Sequence, residues 1–123
     1  MAIKQKLVAA GLSWPQAQTL AGTVAIGLAA SGTSQATAYA MGLDDVQVFA
    51  TVGAGTGTVL PANLSAGDQI AVANFGTNAL LLYPPPGGKV ANGAVNAALS
   101  LPVNKTGLVT CIDGLTFTAV VSA

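Results

Sequence analysis

The sequence predicts an all-β fold, a small antiparallel sandwich or barrel, with a short N-terminal helical arm. Three observations carry that prediction. Short runs of small, β-prone residues recur between turns built from Gly, Pro and Asn. The connections between the runs are too short for helical crossovers, so antiparallel pairing is the expected arrangement. The hydrophobic period also changes at Gly22, from helix-like to strand-like spacing. That change sets the boundary: residues 1–22 form the arm and residues 23–123 the β domain.

In the arm, Ile3, Leu7 and Ala10 share one helical face, and Gly11 ends the first helix. Ser13 is the N-cap of a second short helix, with Pro15 in its first turn and Gln16 three residues after the cap. Trp14 is the largest side chain in the chain and is expected to anchor the arm, with Leu20 on the same apolar surface. Helices this short are marginal alone. They must dock on the domain's own sheet or on a partner.

Beyond Gly22, Val24 to Leu28 is a candidate strand and Ser31 to Ser34 a polar turn. Gln35 to Met41 alternates in strand fashion, with an Ala-lined helix as the competing reading. Val46 to Val52 is the clearest strand, with Val46, Val48, Ala50 and Val52 on one side and Gln47, Phe49 and Thr51 on the other. Gly53 to Gly57 reads as a tight turn. Thr58 to Leu60, Gln69 to Ala73 and Ala79 to Tyr83 follow as strands. Pro84, Pro85 and Pro86 stop the last of these, because proline has no N–H for a ladder. A pinned loop through Gly87, Gly88 and Asn92-Gly93 leads on, with Lys89 at a solvated loop tip. Leu101-Pro102-Val103-Asn104 repeats the pattern of Leu60-Pro61-Ala62-Asn63, which suggests two similar β modules rather than a solenoid repeat. Gly107 to Ile112 and Leu115 to Val121 close the sheet around an Asp113-Gly114 hairpin turn.

Composition bears on partners. Charged residues make up 7% of the 123 residues, against roughly 25% in ordinary soluble domains. Net charge is zero, with no Arg, Glu or His. So little charge protects poorly against association, and the expectation is a homo-oligomer. Four scattered lysines make no basic face, so nucleic acid is not an expected partner. Leu20 to Ala30 is too short to span a bilayer, so no membrane partner is expected.

The same composition removes most chemistry. Without His, Ser-His-Asp and Cys-His arrangements cannot form within one chain. Zinc has no adequate ligand set, and the aspartates lack the spacing of a calcium loop. Gly53-Ala54-Gly55-Thr56-Gly57 carries a Gly-x-Gly-x-Gly spacing, but no Gly-Lys-Ser/Thr and no helix follows it. Cys111 reads as a small buried hydrophobe. Asp44, Asp45, Asp68 and Asp113 are expected to cap turns or meet solvent. The chain is not expected to be an enzyme or to carry a cofactor or metal.

Four segments carry a resemblance: Gly-Thr-Ser-Gln-Ala-Thr-Ala (32–38), Gly-Thr-Gly-Thr-Val-Leu-Pro-Ala (55–62), Gly-Asp-Gln-Ile-Ala-Val-Ala-Asn-Phe-Gly-Thr-Asn-Ala-Leu-Leu-Leu-Tyr-Pro-Pro (67–85) and Ala-Asn-Gly-Ala-Val-Asn-Ala-Ala-Leu (91–99). Together they resemble small virion structural proteins of tailed bacteriophages, either head decoration (cement) proteins or fibre-associated β modules. The resemblance implies a protein made in the host cytoplasm that binds the major capsid protein on the outer capsid surface. It also implies a trimer. The arm around Leu7, Trp14, Pro15 and Leu20 would then touch the capsid or a neighbouring subunit, and Tyr83, Pro84, Pro85, Pro86 and Lys89 would form an exposed loop. The alternative is a tail- or fibre-associated structural or carbohydrate-binding module, using Tyr83 or Phe75 as its aromatic platform.

Overall fold

The computed structural model describes residues 23–123. The expected arm, with Leu7, Trp14, Pro15 and Leu20, lies outside them. Ten strands follow: β1 (Val24–Ala29), β2 (Tyr39–Ala40), β3 (Val46–Thr51), β4 (Gly57–Val59), β5 (Gln69–Asn74), β6 (Leu80–Tyr83), β7 (Lys89–Val90), β8 (Leu99–Leu101), β9 (Thr106–Cys111) and β10 (Thr116–Val121). No helix occurs among the described residues.

The all-β expectation holds, but the strands form a β-solenoid of stacked coils rather than a sandwich or barrel. One sheet runs β1-β3-β5-β9-β10-β7 and the other β2-β4-β6-β8. The chain lays a strand in the first sheet, turns a corner, lays one in the second, and returns one level along. β1, β3 and β5 therefore pair in parallel, with Val24 beside Val46 and Val46 beside Ala71. β2, β4 and β6 do the same on the facing sheet.

The physical reason for the departure lies in the connections. A parallel pair needs a crossover, but the crossover need not be a helix. Here the strand on the facing sheet and its two corners supply it.

The direction then reverses. After β6 the chain runs through Pro84–Pro86 to β7, which pairs in parallel with β10. β8 pairs antiparallel with β6, β9 with β5, and β10 with β9. Among the ten strands antiparallel pairing is thus confined to the closing part of the fold; earlier in the chain a single bridge, Ser31 with Gly57, is antiparallel. The Leu-Pro-x-Asn repeat also has a different meaning from two modules. Leu60 follows β4 and Leu101 ends β8, both buried, at two of the places where the chain leaves the second sheet for the first. The repeat marks equivalent corners of coils that run in opposite directions.

Apolar side chains from the two sheets meet between them. Phe49, Ile70, Val72, Val109 and Phe117 come from the first sheet, and Leu80, Leu82 and Leu101 from the second. Of the two sides read for Val46 to Val52, the Gln47–Phe49 side is the buried one; the alternation ends there, since Thr51 is exposed and Val52, beyond the strand, is buried. Tyr39 stands edge-on to Phe49, with ring centroids 5.8 Å apart and planes at 84°. Gln47 is buried beside them and its Nε2 donates to the carbonyls of Gly42 (3.2 Å) and Asp44 (3.0 Å), tying down the entry to β3. Residues 35–41 are neither the expected strand nor the competing helix. The Thr37 hydroxyl accepts the N–H groups of Thr33 and Ser34, both at 3.2 Å, which folds a turn and leaves only Tyr39–Ala40 to pair.

The corner from β5 to β6 is built on asparagine. Asn74 is fully buried; its Nδ2 donates to the carbonyls of Asn78 (2.8 Å) and Leu101 (3.0 Å), and its Oδ1 accepts the Gly76 N–H (3.0 Å). Asn78 continues the line, donating to the Val52 carbonyl at 2.9 Å. Gly76 is required here, because a Cβ at this position would lie 2.7 Å from the Val52 backbone nitrogen.

The β9–β10 hairpin turns at Asp113-Gly114 as expected. The Asp113 carboxylate accepts the N–H groups of Leu115 (3.0 Å) and Thr116 (2.7 Å), and these bonds, Leu115 first, hold its pKa below the usual carboxylate range. The sign follows directly. A group whose folded pKa is depressed stabilises the fold above its unfolded pKa, and that contribution fades as pH falls through the folded value. Asp113→Asn is expected to flatten the acid limb of a stability–pH curve measured by urea titration below about pH 4. An unchanged acid limb would show that this cap does not contribute.

Candidate functional site

Two surfaces stand out, the proline loop and the outer face of the first sheet. In the loop, Pro84 and Pro85 are buried, while Pro86 and Lys89 are exposed. Asn96 pins it: its Oδ1 accepts the Gly87 N–H at 2.7 Å and Gln35 Nε2 at 3.2 Å, and its own N–H donates to the Gly88 carbonyl at 2.9 Å. Gln35 Nε2 also donates to the Pro84 carbonyl at 2.8 Å. Turn residues of the first coil thus hold a loop that leaves the third. Lys89 is not at a loop tip. It opens β7 and pairs with Thr116 of β10.

Tyr83 is only half-buried, but it is not a free platform. Its ring lies over Gly57 on the outside of the second sheet, with Cε2 2.9 Å from where a Gly57 Cβ would stand. Phe75 is 60% exposed in the corner preceding β6, at the opposite end of that strand from Tyr83. The two rings do not form one surface.

Asn96 takes a left-handed φ of 66°, so substitution tests both its bonds and its backbone. Asn96→Ala is expected to cost about 1–2 kcal/mol and to speed amide exchange at Gly87. Asn96→Gly keeps the backbone and should recover only the part due to φ. Equal exchange in all three chains would show that the loop is held without this side chain.

The loop borders a cleft of about 370 Å³ lined by Met41, Leu60, Pro61, Pro85 and Pro86 among others. A second cleft of about 430 Å³, near Leu43, Asp45, Asn63 and Asp68, contains two of the aspartates. Asp68 caps its own turn, accepting the Ser65 N–H at 2.8 Å. No group of three or more His, Cys, Asp or Glu that could hold a metal occurs among the described residues. Cys111 is buried, and its Sγ accepts the Gly114 N–H at 3.0 Å, so it also supports the hairpin.

The outer face of the first sheet was not legible as a site. One cross-strand row runs Val24, Val46, Ala71, Leu108, Val120. Ile26 and Val120 are 74% and 69% exposed. Each strand contributes one or two apolar residues to this face. Only the register of the paired strands, parallel from β1 to β5 and antiparallel from β5 through β9 to β10, lines them up.

No protein family, curated protein or solved structure matches this chain. The functional reading therefore rests on its residues and geometry.

Proposed function

We propose that this chain is a non-enzymatic structural component of a bacteriophage virion, a capsid decoration protein. It acts by contact. Copies associate into a homotrimer on the outer capsid surface and bind the major capsid protein, with avidity accumulated over many identical sites. The observation that supports this best is the apolar row Val24, Val46, Ala71, Leu108 and Val120 on the outer face of the first sheet, on a solenoid whose β5–β6 corner is pinned by buried hydrogen bonds. Exposed apolar surface of that kind marks an interaction site. The resemblance of residues 32–38, 55–62, 67–85 and 91–99 to virion structural proteins supplies the setting. Asn74, Gly76 and Asn78 of the most specific of these segments form a corner, a role suited to a rigid scaffold rather than to a reaction.

Electron cryomicroscopy of the particle that carries the protein tests this reading. Density over the whole head at three-fold or quasi-three-fold positions is the expected result. A few copies at a single vertex would place the chain in a tail or fibre instead, and absence from the particle would overturn the virion reading.

A further inference from the structure

The two clefts adjoin, sharing Leu43 and Asn63 in their walls. Together they form one groove along the corners where successive coils leave the second sheet for the first. Backbone bonds stack those corners. The Met41 N–H donates to the Val59 carbonyl at 3.1 Å, and the Leu60 N–H to the Tyr83 carbonyl at 2.9 Å. The half bordered by Met41, Leu60, Pro61 and Pro85 is apolar, and the half nearer the first sheet carries Asp45 and Asp68. Leu43 stands between the halves and is 69% exposed.

The chain enters the described fold at the edge of this groove. Val24 lies beside Val46 and Val46 beside Ala71, so the preceding residues Thr23, Asp45 and Ile70 stack in one column. The Thr23 carbonyl accepts the Val46 N–H at 3.2 Å, and its Oγ1 accepts the Asp45 N–H at 3.4 Å. Asp45 and Ile70 both wall the first cleft. Residues 1–22 therefore arrive where the groove begins.

We propose that the groove holds the chain's own N-terminal arm, with Leu20 and Trp14 in the apolar half and Lys4 and Lys6 facing Asp45 and Asp68. The inference does not depend on the virion reading, and it seats the arm within its own protomer rather than on a capsid.

Reach supports it first. The groove crosses three coil levels, about 14 Å at a strand spacing of about 4.8 Å. Trp14 lies nine residues before Thr23. That length spans about 14 Å as a helix and up to about 30 Å extended, so Trp14 reaches the Pro85 end in either form. Gly11 then lets the chain turn back and return its lysines towards the acidic half. Charge supports it next. Residues 1–22 carry two lysines and no acid, a charge of +2, whereas residues 23–123 carry four aspartates and two lysines, a charge of −2. Opposite signs favour this pairing over an acidic partner. Tethering supports it last. A segment joined at the groove's edge meets it at an effective concentration on the order of millimolar, ahead of any partner free in solution.

Fluorescence of Trp14, the single tryptophan, tests the proposal on the full-length chain. Leu43→Lys and Ala62→Lys put a cation into the groove at exposed positions, and Val120→Lys is the control on the outer face of the first sheet. All three sites are exposed, so the variants should keep the far-ultraviolet circular dichroism of the parent. In the parent and in Val120→Lys, emission should be blue-shifted and less quenched by acrylamide than in the urea-unfolded chain, at every protein concentration. In both groove variants the emission should move to the red and quenching should rise to the unfolded level. Parent emission like that of the unfolded chain, or a blue shift kept in both groove variants, overturns the proposal. A blue shift lost on dilution of the parent places the arm in a neighbouring copy and overturns docking within one chain. A blue shift lost in Val120→Lys places the arm on the first sheet and overturns the groove. The virion reading is judged separately, on particles.

Discussion

Asn74→Ala is expected to destabilise the domain by about 3–5 kcal/mol, because each buried polar group left unpaired costs about 1–3 kcal/mol. Three groups lose their partner at once: the carbonyls of Asn78 and Leu101 and the N–H of Gly76. They belong to the β5–β6 corner and to the end of β8, so one side chain ties the third coil to the reversed strand that covers it. The backbone of Asn74 makes the same connection, donating to Lys105 at 3.0 Å and accepting from Asn104 at 2.8 Å. Whole domains are stable by only about 5–15 kcal/mol. A fall in the urea midpoint at constant m-value would report the loss. A loss under about 1 kcal/mol would mean that water replaces all three bonds without strain.

Phe49→Ala is expected to cost a similar amount, about 3–5 kcal/mol, through the cavity it leaves. Phe49 is completely buried between the sheets and holds the edge-on contact with Tyr39, worth about 0.5–1.5 kcal/mol beyond its area. Val48→Ala is the matched comparison. Val48 is adjacent in sequence but lies on the outer face, only half-buried. Its truncation in the protomer should cost under about 1 kcal/mol, since fully burying such a side chain is worth only about 1.5–3 kcal/mol. Chemical denaturation of the two variants measures the sidedness of β3. A larger loss at Val48 than at Phe49 would reverse the inside and outside of the first sheet.

Most strand positions were legible because small apolar runs end at residues with a local mechanism. Pro84 stops β6, Asp113-Gly114 turns the final hairpin, and Gly53 to Thr56 turns out of β3. Residues 35–41 misled because alternation of Ala and Thr is also compatible with a turn held by the Thr37 hydroxyl. β7 was missed because two residues carry no periodicity; Lys89–Val90 becomes a strand only by lying beside Thr116 and Phe117. The candidate loop was legible in its prolines and glycines. Its anchors Gln35 and Asn96 were not, since they lie far apart along the chain and meet only through the coil geometry.

The sequence by itself determined that this protein is built from short strands with rigid turns, that it carries almost no charge, and that His-based chemistry is closed to it. These are properties of residue type and local spacing, and they do not depend on which strands become neighbours. Only the tertiary structure decided the rest. Antiparallel hairpins and stacked coils use the same strands and turns, and they differ in whether each corner leads back along one sheet or across to the other. Here Asn74, Gly76 and Asn78 close a corner through contacts with Val52 and Leu101, residues far from them in the chain. Those long-range contacts select the solenoid, and its strand register, parallel from β1 to β5 and antiparallel from β5 to β10, gathers scattered valines and a leucine into one apolar row.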